Sequence, residues 1–245
     1  MAGHNKWSKI KRLKGTADAK RGRIFAKLSR EITISSKLGG GNPDMNPRLR
    51  MALLKCREAN MPSDNIDRAI KKGTGGGDGT SFDDLTYEVY GPNGVAILVE
   101  LTTDNRNRTA AEMRSLLSKN GGSIATLGSV SRLFHRKGQL IVAGETVNED
   151  ELMELALEAG AEDFRSETQF YEILTSPADF ESVYKALETR AIKCEAAQVT
   201  SMPTLTVPVT DPESVSAVSR LIEALEDYDD VKDVYTNADF LDESV

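Results

Sequence analysis

Apolar side chains in the first third of the chain recur at spacings of three and four residues. This spacing predicts a helix over Thr16 to Leu38, whose apolar face comprises Ile24, Phe25, Leu28 and Ile32. Asn46 as cap and Pro47 in the first turn predict the start of a second helix. Ser63 is the expected cap of a third helix, which Gly73 ends. The pattern predicts a small helical bundle.

The period changes after residue 80, where short apolar runs typical of strands alternate with helical patterns. Two runs are joined by GPNG, whose Asn93 and Gly94 suit a tight hairpin turn. Further on we predict strands over 131–135, 139–143, 164–174 and 192–199, with a helix capped by Asn148 and another opened by Pro177. The resulting order is ββαβαβ, and the flanking pieces would have the same order if they were joined.

This symmetry predicts an α+β multidomain protein with one domain inserted into another. We expect a basic three-helix domain over residues 1–79 and two ferredoxin-like α/β domains. The first α/β domain comprises residues 80–130 and 203–245, and the second is inserted as residues 131–202. Three consecutive domains are the alternative, but they would leave two half-sheets with exposed edges.

The charge distribution adds a second asymmetry to this picture. The 245 residues carry a net charge of −7, but residues 1–75 hold 18 Lys or Arg against 6 Asp or Glu, and the rest hold 13 against 32. A basic module attached to an acidic body favours binding to a polyanion. The N-terminus lacks the apolar run of a signal peptide and no segment is apolar enough to span a membrane, so we expect a cytoplasmic protein.

The basic residues near the N-terminus are the main candidate site. They are interleaved with aromatic residues and few acids, as expected of a phosphate-binding surface. An ordinary solvated helix face is the alternative, although such a face normally mixes both signs. Trp7 could stack on a base or anchor the segment by packing. The candidates are Lys6, Trp7, Lys9, Lys11, Arg12, Lys14, Lys20, Arg21, Arg23, Lys27 and Arg30, with Arg48, Arg50, Lys55, Arg57, Arg68, Lys71 and Lys72 as weaker ones.

Two further arginines, Arg106 and Arg108, lie at a predicted helix start after a strand. They could hold an anion there, or they could be exposed arginines beside an ordinary helix cap, and the sequence favours neither. The acidic group Glu226, Asp227, Asp229 and Asp230 could bind a divalent cation, but a solvated helix end or a counter-surface for the basic domain fits it better.

Residues for catalysis are few. His4 and His135 are the only histidines, and they lie outside any hydrolase or phosphate-loop motif. Cys56 and Cys194 are far apart in sequence, which argues against a disulfide or a zinc site. We therefore expect a protein without enzymatic activity, cofactor or metal.

Long motifs along the chain carry a family resemblance. They are MAGHNKWSKIK, KRGRIFAKLSREI, NMPSDNIDRAIKKGTG, YEVYGPNGVA, TDNRNRTAAEMR, GSVSRLF, AGAEDF and EALEDYDDVKDVYTN. In these motifs the chain resembles the YebC/PmpR family nearly end to end. The resemblance implies a helical N-terminal domain, two α/β domains and a non-enzymatic, cytoplasmic bacterial protein. It implies two roles: DNA-binding transcriptional regulation, or ribosome association that eases the translation of proline-rich stretches.

The sequence thus leaves two functions open. A DNA-binding transcriptional regulator is the first hypothesis, although no base-reading motif is evident. A translation factor that binds ribosomal RNA is the alternative, because phosphate and shape recognition suffice for that target. The expected partner is DNA or ribosomal RNA, with the ribosome as a further partner and no membrane. The oligomeric state does not follow from the sequence.

Overall fold

A computed structural model of the protein describes residues 18–75 and 81–240, with side chains from residue 21 onward. In these ranges the helices are α1 (Asp18–Gly39), α2 (Pro47–Glu58), α3 (Ser63–Thr74), α4 (Arg106–Lys119), α5 (Glu149–Glu158), α6 (Phe180–Thr189) and α7 (Pro212–Asp227). The strands are β1 (Asp83–Tyr90), β2 (Ala96–Thr103), β3 (Ser123–Ile124), β4 (Phe134–Ala143), β5 (Ala161–Ser166), β6 (Phe170–Thr175), β7 (Cys194–Pro203), β8 (Val207–Val209), β9 (Val231–Thr236) and β10 (Ala238–Phe240). The predicted α+β class is confirmed.

The described residues form two compact units. The first unit combines the helical region up to Gly75 with Arg136–Ser201, and the second combines residues up to His135 with those from Met202 onward. Within the first unit the helical region and an α/β sheet therefore belong together. The domain boundaries that we drew from the sequence stay a prediction.

The helical region of the first unit packs around a small core in which Ile32, Leu49 and Cys56 are fully buried. Helices α1 and α3 cross closely, because Gly73 lies against the backbone of Thr33, where an added Cβ would come within 2.4 Å of the carbonyl oxygen. The predicted cap at Ser63 is wrong. Pro62 occupies the cap position without a side-chain hydrogen bond, and Ser63 is already the first helical residue.

The α/β part of the first unit is a four-stranded sheet with the order β5-β6-β4-β7. Along the chain its elements run βαββαβ, the ferredoxin-like arrangement, rather than the predicted ββαβαβ. Gly138 pairs with Thr175 and does not end a strand, so the predicted runs 131–135 and 139–143 are a short helical turn and one strand. The predicted run 164–174 is two strands, because Glu167 N–H bonds Phe170 C=O in a turn.

The sheet of the second unit has the order β3-β1-β2-β9. The predicted turn between β1 and β2 is confirmed, since Asn93 and Gly94 both have positive φ, at 57° and 71°. One face of this sheet packs with α4 and α7 around Ile97, Val99 and Leu221. Short β8 and β10 pair in parallel as a separate two-stranded sheet.

Candidate nucleic-acid interface

The basic residues of α1 fall largely on one side of the helix. Positions 20, 23, 27 and 30 are spaced by three, four and three residues, which places them on a common face. Arg23 is exposed, whereas Lys27 and Arg30 are half-buried. The opposite side contains the buried Leu28 and Ile32. We call positions 20, 23, 27 and 30 the α1 cation line.

Arg21 is exposed, but its position lies about 160° around the helix from position 23 and outside the α1 cation line, because each residue advances the helix by about 100°. No Asp or Glu occurs from residue 19 to residue 30 of α1, so this stretch of helix is purely cationic. Its charge and regular spacing make it the part of the described chain that best fits a row of phosphates.

The arginines of α2 have a different environment. Arg48 forms a two-point ion pair with Glu31, with Nε 2.8 Å from Oε1 and Nη2 3.2 Å from Oε2. Arg50 Nη2 lies 3.0 Å from Glu181 Oε2, and Arg57 Nη1 lies 3.8 Å from a Glu188 oxygen. These arginines lie beside carboxylates of α1 and α6, so part of their charge is engaged within the protein.

Contacts of α2 attach the helical region to the sheet of the same unit. Met51 and Leu54 pack against the core of that sheet, and Ala197 N–H of the edge strand β7 donates to Glu58 Oε1 at 2.6 Å. Helix α2 is thus a structural connection, although its composition resembles that of α1.

Helix α3 ends in two exposed lysines, Lys71 and Lys72, while Arg68 donates to the backbone oxygen of Asp64 and to the side chain of Asn65. Both lysines directly precede Gly73, which lies against α1, and their exposure makes them accessible to a phosphate.

Asn46, correctly predicted as a helix cap, also fixes the turn between α1 and α2, and this second role was not predicted. Asn46, only 4% exposed, donates Nδ2–H to the carbonyl oxygens of Ser35 and Gly40 and accepts Leu49 N–H. The turn held in this way exposes the apolar side chains Leu38 and Met45 at 58% and 79%. The triple glycine in this turn was the available signal, since Gly40 adopts φ +84° and Gly39 has no room for a side chain against Asn46.

Arg106 and Arg108 in the second unit both contact carboxylates. Arg106 forms a two-point pair with Asp83 at 2.8 and 2.9 Å, and this hydrogen bond raises the arginine pKa and lowers the pKa of Asp83. Arg108 Nη2 lies 3.0 Å from Asp230 and 2.8 Å from Asp104, and these bonds raise its pKa. Their role as an anion site stays a prediction.

The carboxylate of Asp230 is 6% exposed and forms the centre of this network, where it accepts from Arg108 and from Thr109 Oγ1 at 2.9 Å. Tyr228 hydroxyl donates to Glu112 at 2.5 Å, and burial followed by that bond raises the pKa of Tyr228 to about 12. Over 18–75 and 81–240, no group of three or more His, Cys, Asp or Glu is placed to hold a metal ion. Within the predicted acidic group, Asp230 thus forms structural hydrogen bonds to α4.

A second buried carboxylate, Glu88, fixes the loop before β4. Its oxygens accept the main-chain N–H groups of Gly128 and Val130 at 2.6 Å and of Ser131 at 2.9 Å. Burial acts to raise the pKa of Glu88, but these hydrogen bonds outweigh it and the pKa is lowered. The loop held by Glu88 covers the sheet face opposite α4 and α7.

Several candidate residues lie outside the described residues: Lys6, Trp7, Lys9, Lys11, Arg12 and Lys14, with His4. Lys20 is placed by its backbone alone.

The side chains considered for catalysis within the described ranges are those of His135, Cys56 and Cys194. His135 is exposed. Burial raises the pKa of Cys56 to about 11 and that of Cys194 to about 12, so neither thiol is activated as a nucleophile. In the ranges that the structure covers, no helix is long and apolar enough to cross a membrane.

Two protein-family models match the chain. Residues 5–76 match the family described as the TACO1/YebC protein N-terminal domain, and residues 82–238 match the TACO1/YebC second and third domain. The chain belongs to the TACO1/YebC family. The resemblance noted in its motifs is thereby confirmed.

Individual TACO1/YebC relatives match over nearly their whole length. A probable transcriptional regulatory protein of Opitutus terrae is 51% identical, covering 100% of this chain and 98% of the relative. One from Rubrobacter xylanophilus is 50% identical, covering 99% and 97%. The crystal structure of a conserved hypothetical protein from Aquifex aeolicus is 46% identical with a TM-score of 0.78, covering 92% of this chain and 93% of that one.

Proposed function

We propose that this protein is a cytoplasmic, non-enzymatic regulator of gene expression that binds nucleic acid through its basic N-terminal region. The observation that carries the proposal is the α1 cation line, four basic positions on one helix face in a stretch without acids. The basic residues Lys6, Lys9, Lys11, Arg12 and Lys14 immediately before α1 extend the same charge.

The spacing of the α1 cation line suits a polynucleotide backbone. Ten residues separate positions 20 and 30, which corresponds to about 15 Å of helix rise. Phosphates on one strand of B-DNA are spaced by about 3.4 Å along the axis, so this distance spans about four of them. Binding of this kind neutralises phosphates and releases counterions, and it requires no contact with base edges.

DNA is the first proposed target, because relatives of this chain are named probable transcriptional regulatory proteins. The backbone contacts proposed for α1 would position the protein on a duplex. Sequence preference would then come from DNA shape and deformability or from residues before α1.

Ribosomal RNA is the second proposed target. The observation that favours it is the lack of a base-reading motif in the sequence, because RNA helices are recognised mainly by shape, phosphate and 2′-hydroxyl groups. Under this alternative the protein is a ribosome-associated translation factor that eases synthesis of proline-rich stretches.

One comparative experiment tests both targets with the full-length protein at about 150 mM salt, where screening is physiological. Genomic DNA fragments and ribosomes compete for the protein, and recovered fragments are sequenced. A transcriptional regulator should retain particular fragments against excess competitor DNA, whereas a translation factor should co-sediment with ribosomes without such a preference. Binding to neither polyanion would contradict the proposal.

A further inference from the structure

Helix α5 exposes a surface opposite in charge to the N-terminal region. Its ten residues contain five acids and no basic residue, and all five acids are exposed: Glu149, Asp150, Glu151, Glu154 and Glu158. Leu152 and Ala156 are the residues that this helix buries in the sheet core.

Two apolar side chains lie on the exposed side of the same helix. Met153 and Leu157 are four residues apart, so they are neighbours on one face, and they are 38% and 49% exposed. Asp150 and Glu154 lie beside them on the helix surface, at helical angles of about 20° and 60° from Leu157. We call Met153, Leu157 and the five acids the α5 face.

Helix stability explains only part of this composition. Acids in the first turn, such as Glu149 and Asp150, interact favourably with the helix dipole. Glu158 lies in the last turn, where a negative charge is unfavourable, and Glu154 lies in the middle of the helix. Met153 and Leu157 leave apolar surface exposed to solvent as well. These residues are better explained by an occupant.

The segment before α1 has the complementary composition. Residues 1–17 contain five basic residues and no acid, and Trp7, Ile10 and Leu13 recur at every third position among them. Five cations therefore match five carboxylates, and apolar side chains on one partner match Met153 and Leu157 on the other. Lys and Arg can keep their charged ends beside carboxylates while apolar groups are buried between them.

The length of this segment sets how far Trp7 can extend from α1. Helix α1 begins at Asp18 in the same compact unit as α5, and eleven residues separate it from Trp7. Extended chain spans up to about 3.5 Å per residue, which gives almost 40 Å. A unit of about 120 residues has a radius of gyration of about 14 Å, so this length is comparable with the width of the unit.

We propose that the basic segment of residues 1–17 docks on the α5 face of its own chain when no nucleic acid is bound. The same lysines then serve two competing partners, the α5 carboxylates and phosphates. Docking lowers the apparent affinity for nucleic acid by reducing the fraction of protein whose segment is free. This regulatory consequence rests on the proposed nucleic-acid function, whereas the docking itself does not.

Trp7 is the only tryptophan of the chain, so its fluorescence reports on the segment in the full-length protein. We expect the double variant Met153→Ser, Leu157→Ser to shift Trp7 emission to longer wavelength and to increase its quenching by acrylamide. The control variant Leu127→Ser, Leu205→Ser removes two leucines that are 90% and 71% exposed in the second unit, and it should match wild type. Circular dichroism checks that both variants are folded.

Nucleic-acid binding is the second readout. The α5 variant should bind a duplex about three- to tenfold more tightly than wild type, because its segment is no longer held. Identical Trp7 emission in wild type, the α5 variant and the control would overturn the proposal. Sedimentation distinguishes an intermolecular arrangement: a wild-type dimer that the α5 variant converts to a monomer would show that a second copy occupies the α5 face, which also overturns it.

The two proposals fail in different ways. A Trp7 shift without any nucleic-acid binding would retain the docking and contradict the proposed function. Salt-dependent nucleic-acid binding with unchanged Trp7 emission in the α5 variant would retain the function and overturn the docking.

Discussion

Helices α1 and α2 have similar compositions but different environments. Each carries at least four basic residues, yet Arg48, Arg50 and Arg57 of α2 are matched by Glu31, Glu181 and Glu188. The α1 cation line has no acidic residue within its own stretch of helix. The comparison shows that helices with similar numbers of cations can arrange them differently, along an acid-free stretch in α1 and beside carboxylates of α1 and α6 in α2.

The strongest test of this comparison neutralises each helix in turn. We expect Lys20→Gln, Arg23→Gln, Lys27→Gln and Arg30→Gln together to make the slope of log K against log salt shallower by about 3 to 4, at about 0.9 per lost phosphate contact. The α2 variant Arg48→Gln, Arg50→Gln, Arg57→Gln removes three charges instead of four and should change the slope by about 1 or less. Titrations of labelled duplex at several salt concentrations measure both. Equal slopes in the two variants would break the comparison.

The second prediction concerns the contribution of the buried carboxylate of Glu88 to the stability of the fold. Glu88→Gln places an amide NH₂ against main-chain donors, so we expect a loss of about 2–4 kcal/mol in the free energy of unfolding. Urea denaturation measures this loss. Glu213→Gln, on the exposed first turn of α7, is the control and should stay within about 0.5 kcal/mol of wild type.

The lowered pKa of Glu88 also predicts a pH dependence. Its contribution to stability is fully present above the unfolded-state pKa, near 4.5, and is lost as the pH falls through the lower folded-state pKa. Wild type should therefore lose stability on acidification below about pH 4.5 more steeply than Glu88→Gln. Parallel pH profiles for the two proteins would show that Glu88 is not the titrating group.

The third prediction concerns the attachment of α2 to the sheet. Glu58→Gln replaces a charged acceptor of Ala197 N–H by a neutral one, and we expect a loss of about 1–2 kcal/mol in unfolding free energy. Glu188→Gln is the comparison, since its pair with Arg57 is 3.8 Å long and exposed, and it should have almost no effect. A salt slope altered by Glu58→Gln would contradict a purely structural role for α2.

The smallest expected effect belongs to Glu181. The hydrogen bond from Lys185, followed by the charge of Arg50, lowers the pKa of Glu181. The stabilisation that ionised Glu181 provides is therefore present above its unfolded-state pKa, and it is lost as the pH falls through its folded-state pKa. Because both partners are partly exposed, we expect about 0.5 kcal/mol or less, measured as the difference between wild type and Glu181→Gln at pH 7 and pH 3. A difference above about 2 kcal/mol would contradict this view of the α2 pairs.

The sequence predicted most secondary structure correctly where local chemistry decides it. Caps at Asn46 and Asn148 and the Asn93–Gly94 turn all agree with the structure. Apart from the cap at Ser63 and the helix predicted to open at Pro177, which begins at Phe180, the errors fall around β4, β5 and β6. Gly138 could not be interpreted locally, because Thr175, with which it pairs, lies more than thirty residues away. The turn after Ser166 was missed because residues 167–169 contain no Gly, Pro, Asn or Asp to mark it.

For the candidate site, the sequence by itself determined the charge asymmetry, the family motifs and the spacing of positions 20, 23, 27 and 30, since these follow from residue order and helix periodicity. Only the tertiary structure decided which cations have counter-charges. Glu31 is seventeen residues from Arg48, Glu181 is 131 residues from Arg50, and Asp230 is 122 residues from Arg108. An ion pair depends on a few ångströms of distance, and folding brings these partners together from parts of the chain that no local pattern connects.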